Sequence, residues 1–228
     1  MIKEAKELAI LFLNLDIEKT KFYPMIICHP FFSSAILLDE KGIFEALKEP
    51  ERFKKTKEKM IFEINKCATL NEIILLLNKP YILVFLYQLY LLKVISKEKT
   101  VSLILKYWSI IENINHDTNV KQEQILELFK SVKREKVMNK SNLNHYESLP
   151  DEITIFRGVH EDSSSNIKGF SWSLNPEVAN IFAYRYGCKG NIYQASIKKE
   201  DVFFYVEDRE EEELILDYNK LYNIKMCK

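Results

Sequence analysis

The hydrophobic period of the chain changes at Leu149-Pro150-Asp151, and the change commits the two parts to different secondary structure. Before it, apolar residues recur at helical spacing. Ala5, Leu8, Leu11 and Phe12 form a stripe in the opening segment. The stretches Ile43 to Ile64, Leu70 to Asn78, Tyr81 to Ile95, Val101 to Ile114 and Val120 to Val137 continue the pattern, broken at Pro30, Pro50, Pro80 and the polar run from Asn113 to Asn119. Tyr81 to Leu92 is apolar nearly all round, which predicts the central helix of this part. After Asp151 come short β-branched and aromatic runs, read as strands: Ile153 to Phe156, Ile192 to Ile197, Val202 to Val206, Leu214 to Leu216 and Leu221 to Ile224. One helix interrupts them, with Asn175 as N-cap, Pro176 at the first position and Val178, Ile181 and Phe182 as its buried stripe. The class is α+β: an N-terminal all-helical region, 1–148, then a compact, mostly antiparallel β core with one helix, 149–228.

At 228 residues the chain makes one domain or two small ones. Its 33 basic and 33 acidic side chains cancel, which excludes a general electrostatic pull toward nucleic acid. The opening segment mixes charges into its apolar run and lacks a small-residue cleavage site, so it does not read as a signal peptide. The longest apolar stretch is about 12 residues where a membrane span needs about 20. Cys28, Cys67, Cys188 and Cys227 have no metal-type spacing, and Cys28 beside His29 reads as a buried thiol. A cytoplasmic protein with reduced thiols, no metal and no membrane partner is expected. Only five of the basic residues are Arg: Arg52, Arg134, Arg157, Arg185 and Arg209. Lys serves for solvated charge, so each Arg is a candidate for a role that needs its planar fork.

Three clusters in the strand-rich part have chemistry in them. Arg157-Gly158 ends a strand, where a guanidinium can grip a phosphate with paired hydrogen bonds and Gly lets a ligand near the backbone. A surface ion pair before a turn is the other reading. Ser171-Trp172-Ser173 puts two hydroxyls on one strand face, which suits either a polar ligand or plain solvent. Arg185 follows the helix's inward stripe and must snorkel or meet an anion. The acidic run Glu207 to Glu213 leads straight into Leu214-Ile215-Leu216. It reads as a solvated turn, or as a Glu211 and Glu213 pair on one strand face, one with a raised pKa. Such carboxylates can stabilise a cationic sugar carbon in glycosyl transfer.

In the order Arg, Ser-x-Ser, Glu-x-Glu before an apolar strand, these clusters resemble the arginine-serine-glutamate class of mono-ADP-ribosyltransferases, which includes bacterial toxins and phage-encoded enzymes. The resemblance covers residues 150 to 218, with Trp172 where the family has Thr. Only 14 residues separate Arg157 from Ser171, where larger members insert a helix and a strand. The region closing over the nicotinamide is therefore reduced or comes from the N-terminal helices.

The resemblance implies that NAD is the co-substrate, held by Arg157, Gly158, Ser171, Ser173, Phe182 and Arg185. Arg157 and Arg185 would take the pyrophosphate, and the Gly158 backbone the nicotinamide amide. Ser171 would orient Glu213, Glu213 would face the ribose and its oxocarbenium-like charge, and Glu211 would align or deprotonate the acceptor. That acceptor is a macromolecule, protein Arg or nucleic acid, and a toxin–antitoxin, phage-defence or phage setting implies an antitoxin or inhibitor as partner. Two alternatives stand beside transfer: NAD hydrolysis with water as acceptor, and a non-catalytic NAD-binding or interaction module. The helical region would recognise the target, bind a partner or complete the fold.

Overall fold

The structure is a computed structural model that describes residues 1–111, 114–115, 117–161, 167–187, 189–207 and 211–227, with only the backbone of Tyr186. Asp208, Arg209 and Glu210 of the acidic run, Cys188, and Asn113 and His116 of the polar break lie outside the described residues. The chain forms two compact units, 1–96 with 110–112, and 97–109 with 113–228. This division departs from the expected boundary at 148. Residues 97–109 and 113–148 belong with the sheet because their apolar side chains cover it: Phe129 packs edge-on to Phe170 and Phe204, at 5.4 and 5.3 Å between ring centroids.

The first unit holds α1 (Ile2–Leu13), β1 (Glu18–Lys19), β2 (Ile27–Cys28), β3 (Ile36–Asp39), β4 (Gly42–Glu45), α2 (Pro50–Lys66), α3 (Leu70–Leu76) and α4 (Ile82–Leu91). The central helix is where its composition put it, with Ile82 to Tyr87 and Leu89 all buried in α4. The unit is not all-helical, however. The stretch from Ile43 to the break at Pro50, read as helical, begins in a strand instead. Gly42, at φ +113°, lets β3 turn into β4, and the Asp39 carboxylate accepts the Lys41 N–H across the turn at 2.8 Å. The helix then starts at Pro50, whose fixed φ suits the first position. In α1 the buried face is Ala5, Leu8, Ala9 and Leu13, while Leu11 is 65% exposed, so the stripe lies one residue round from the expected one. Cys28 is exposed, and its neighbour His29 is the buried one.

The second unit contains α5 (Lys97–Lys106), α6 (Gln122–Lys130), α7 (Lys140–Ser148), β5 (Glu152–His160), β6 (Ser171–Ser173), α8 (Pro176–Tyr184), β7 (Gly190–Lys198), β8 (Val202–Val206), β9 (Glu213–Leu216) and β10 (Tyr222–Met226). All five runs expected as strands form strands, in a six-stranded antiparallel sheet of order β10-β7-β5-β6-β9-β8. Along β5, Ile153, Ile155 and Val159 alternate into the core. Asn175 caps α8 by accepting the Glu177 N–H at 2.9 Å. No described helix is long and apolar enough to cross a membrane. The protein is a mixed helix and antiparallel-sheet structure.

Candidate active site

β5 pairs with β7 along its whole length but with β6 at one rung only, Phe156 opposite Ser173. Continuing that register would set Gly158 opposite Ser171. The strands part there instead, and the Arg157 side chain fills the fork. Its guanidinium donates to the backbone carbonyl of Ser171. It lies close to Gly169, where an added Cβ would sit 2.6 Å from Nη2, so a side chain there would push the guanidinium out of its place. Arg157 shares the alternation of Ile153, Ile155 and Val159, which turns a cation toward the interior. Burial pulls its pKa down to about 10, opposed by the charge of Glu213, and it stays protonated at neutral pH. Arg157 is therefore no surface ion-pair residue.

Glu213 opens β9 directly opposite Ser173, and on the same face the Ser171 hydroxyl donates to its carboxylate. The Trp108 side chain also acts on this carboxylate. Burial raises the Glu213 pKa above the ordinary glutamate value. Ser171 and Trp108 oppose that rise, nearby Glu211 adds to it, and the Arg157 charge opposes it more weakly. Three of the expected residues, Arg157, Ser171 and Glu213, thus meet at one point.

The others are placed differently. Glu211 was expected on the first turn of the strand, on the face of Glu213. The strand begins only at Glu213, and Glu212 takes the left-handed conformation at φ +43°, which ends the alternation before it reaches Glu211. Ser173 is buried, its hydroxyl donating to the Glu211 carbonyl at 2.8 Å and accepting the Asn175 N–H at 2.9 Å. It clasps the turn before β9 to the start of α8.

The glycine of the Arg-Gly pair has a structural partner. A Cβ on Gly158 would lie 2.0 Å from the Ala179 carbonyl oxygen and 2.5 Å from the Ala183 nitrogen, so the face of Gly158 seats α8. This overturns the expected stripe of α8. Ala179 and Ala183 are its buried residues, and Ile181 is 64% exposed, because only a small-residue face can approach a glycine-bearing sheet so closely. Arg185, one residue beyond α8, is correspondingly exposed rather than inward, its guanidinium 5.6 Å from the ring of half-buried Phe182.

Two residues of the site carried no sequence signal. Trp108 follows α5 and reaches Glu213 from 105 positions away. Asn115 accepts the Phe170 N–H at 3.0 Å, with its amide beside Gly169 and the Arg157 guanidinium. Only contact in space reveals either. A cavity of about 210 Å³ lined by Phe129, Lys130, Arg134 and Phe203 contains none of the site residues, and its Lys130 is already paired with Asp217 at 3.1 Å. Among the described residues no three His, Cys, Asp or Glu side chains gather around a possible metal position. The fork itself combines a desolvated carboxylate, the Ser171 hydroxyl that donates to it and a guanidinium at the point where, among the described residues, β5 and β6 cease to pair. That set can hold an anionic group and stabilise positive charge developing next to it. Compared with known protein families, curated proteins and solved structures, the chain matches none of them.

Proposed function

We propose that the protein is an NAD-dependent mono-ADP-ribosyltransferase acting on a macromolecular acceptor. The observation that carries this reading is the meeting of Arg157, Ser171 and Glu213 where β5 and β6 part. The residues fit NAD as co-substrate: a guanidinium, whose paired donors suit a pyrophosphate, stands where β5 and β6 part, and a desolvated carboxylate stands by for a cationic sugar.

When bound, NAD supplies a cationic nicotinamide leaving group and the ADP-ribose to be transferred. Arg157 holds the pyrophosphate, with Arg185 from the end of α8 assisting. The backbone edge of Gly158, beyond the last rung with β6, receives the nicotinamide amide. Ser171 fixes Glu213, which accepts from the ribose 2′-hydroxyl and faces the charge that grows as the nicotinamide–ribose bond breaks. Glu211, held off the strand by the turn at Glu212, aligns the acceptor nucleophile and takes its proton as the new bond forms. The raised pKa of Glu213 suits this role, because a carboxylate costly to ionise in the free site gains most from a cation arriving beside it.

The test is incubation with NAD labelled on the adenylate and a cell lysate, separated into protein and nucleic-acid fractions, with nicotinamide release followed in parallel. Label in either fraction that disappears with Glu213→Gln is expected. Absence of both nicotinamide release and label would overturn the reading. Nicotinamide release without label would move it to NAD hydrolysis.

A further inference from the structure

A strand bulge shapes the cavity at the far edge of the sheet. β8 is an edge strand, and its register against β9 shifts between Val202 and Phe204, where two steps along β8 match one along β9. Consecutive side chains of a regular strand face opposite sides, and a bulge of this kind re-aims one of them. Here Phe203 and Phe204 both line the cavity of about 210 Å³. Phe129 of α6 completes its floor of rings, at 6.1 and 5.3 Å from them between centroids. Arg134 forms part of the same wall, its guanidinium 4.0 Å from the ring centre of Tyr146. That ring is buried, and its hydroxyl donates to the Lys199 carbonyl at 3.0 Å, so the cation rests on a fixed support.

The charges around the cavity do not cancel. Lys130 is matched by buried Asp217 at 3.1 Å, and exposed Glu200 lies 3.8 Å from Lys198. Arg134 has no such match. Among the described residues none accepts a hydrogen bond from its guanidinium, and the one carboxylate that acts on it is its chain neighbour Glu135. Arg52, by contrast, pairs with both Asp39 and Glu49. A half-buried guanidinium with its donors unused favours an anion, and flat rings beside it favour an anion carried on a ring. Pockets for drug-sized ligands run to roughly 300–1,000 Å³, so this smaller one suits a single ring. We propose that the cavity is a second ligand site, for a small aromatic acid whose ring packs on Phe203 and Phe204 and whose carboxylate or phosphate takes the paired N–H groups of Arg134. None of the fork residues lines it, so the site stands apart from the NAD chemistry.

The probes are benzoate and phenyl phosphate, titrated into the full chain by calorimetry, with benzyl alcohol as a ring without charge and acetate as a charge without ring. We expect saturable binding of at least one acid in the millimolar range or tighter, and binding at least about tenfold weaker for both controls. Arg134→Gln should weaken the acid at least about tenfold. Arg157→Lys should leave it within about twofold, which separates the cavity from the fork. Because Arg134→Gln also takes the cation off the Tyr146 ring, Arg134→Lys serves as the second variant. It keeps a charge there, loses the paired donors, and should still weaken the acid severalfold. Failure of both acids to bind wild type would overturn the proposal, as would benzyl alcohol binding as tightly as benzoate. So would an acid that binds folded Arg134→Lys as tightly as wild type, since an arginine that merely packs on Tyr146 predicts a lower Tm and unchanged binding. Binding lost in Arg157→Lys and kept in the Arg134 variants would place the acid at the fork and overturn it equally.

Discussion

Gly158→Ala tests how the sheet seats its helix. The added Cβ would stand 2.0 Å from the Ala179 carbonyl oxygen and 2.5 Å from the Ala183 nitrogen, both backbone atoms that no rotamer change can withdraw. An ordinary C···O approach is roughly 3.3 Å, so α8 must lift by more than about 1 Å. Overpacking of this kind costs about 1–3 kcal/mol, and more when backbone must move. A gap of about 1 Å along Ala179 and Ala183 also forfeits up to about half of the dispersion energy there. We expect a loss of about 3 kcal/mol or more, which for a chain of this size lowers Tm by roughly 6–12 °C. Gly190→Ala meets the same helix, 2.1 Å from the Ala183 carbonyl oxygen, and should cost a similar amount. A Cβ on Gly190 would also stand 2.7 Å from the Val159 carbonyl oxygen of β5. One displacement of α8 still relieves the part of both clashes that falls on the helix, so the double variant should lose less than the two single losses added. Urea and thermal unfolding of the three variants measure this. A loss below about 1 kcal/mol for Gly158→Ala, or strict additivity in the double variant, would refute the argument.

Glu213→Gln should cut nicotinamide release by about 10²–10³-fold, and more than about a tenth of wild-type rate remaining would exclude the assigned role. The same variant should be more stable than wild type at neutral pH. The raised folded pKa means that the stability contributed by Glu213 is present below the ordinary glutamate value of about 4.3 and is lost as pH rises through the folded value. The advantage of Gln should therefore vanish below about pH 4 in urea titrations. Arg157→Lys keeps a charge but loses the fork, and NAD affinity by calorimetry should fall at least about tenfold; unchanged affinity would sink the phosphate role. His29 is buried with Nδ1 accepting the Phe31 and Phe32 N–H groups at 3.1 and 3.3 Å, and its pKa is depressed to about 4, chiefly by burial. Its neutral ring contributes stability above about pH 6.5 that is lost toward pH 4, at up to about 1.4 kcal/mol per unit, and His29→Gln should flatten that slope.

What could be read from the residues and what could not divide along physical lines. The strands after Asp151 announced themselves because β-branched and aromatic runs between turn residues have few other uses, and Asn175-Pro176 marked a helix start by local chemistry alone. Arg157, Ser171 and Glu213 were legible as types in an order, and their meeting required only that β5, β6 and β9 be neighbours. The burial of α8 was misread because its interior face follows from two glycines on other strands, a fact of tertiary packing that overrides hydrophobic ranking. The β3–β4 hairpin was hidden by apolar residues that fit helical spacing equally well. The extended geometry assumed for Glu211 failed at one φ angle, which no charge pattern encodes. Trp108 sits in the stretch from Val101 to Ile114, whose helical spacing points only to core packing, although α5 ends at Lys106, and Asn115 sits in the polar break after it, so nothing local distinguished them.

The single rung between β5 and β6 gives the sheet a mechanical character. It is two three-stranded ribbons, β10-β7-β5 and β6-β9-β8, riveted at Phe156 and Ser173 and laced once more by the Arg157 guanidinium. Sliding within a ribbon must break a ladder, whereas between the two ribbons the strand pairing itself amounts to one rung. The residues proposed to act on NAD straddle this seam, Arg157 on one side and Ser171 with Glu213 on the other. A molecule held by groups from both sides would therefore bridge the one place where the sheet is joined by a single strand rung.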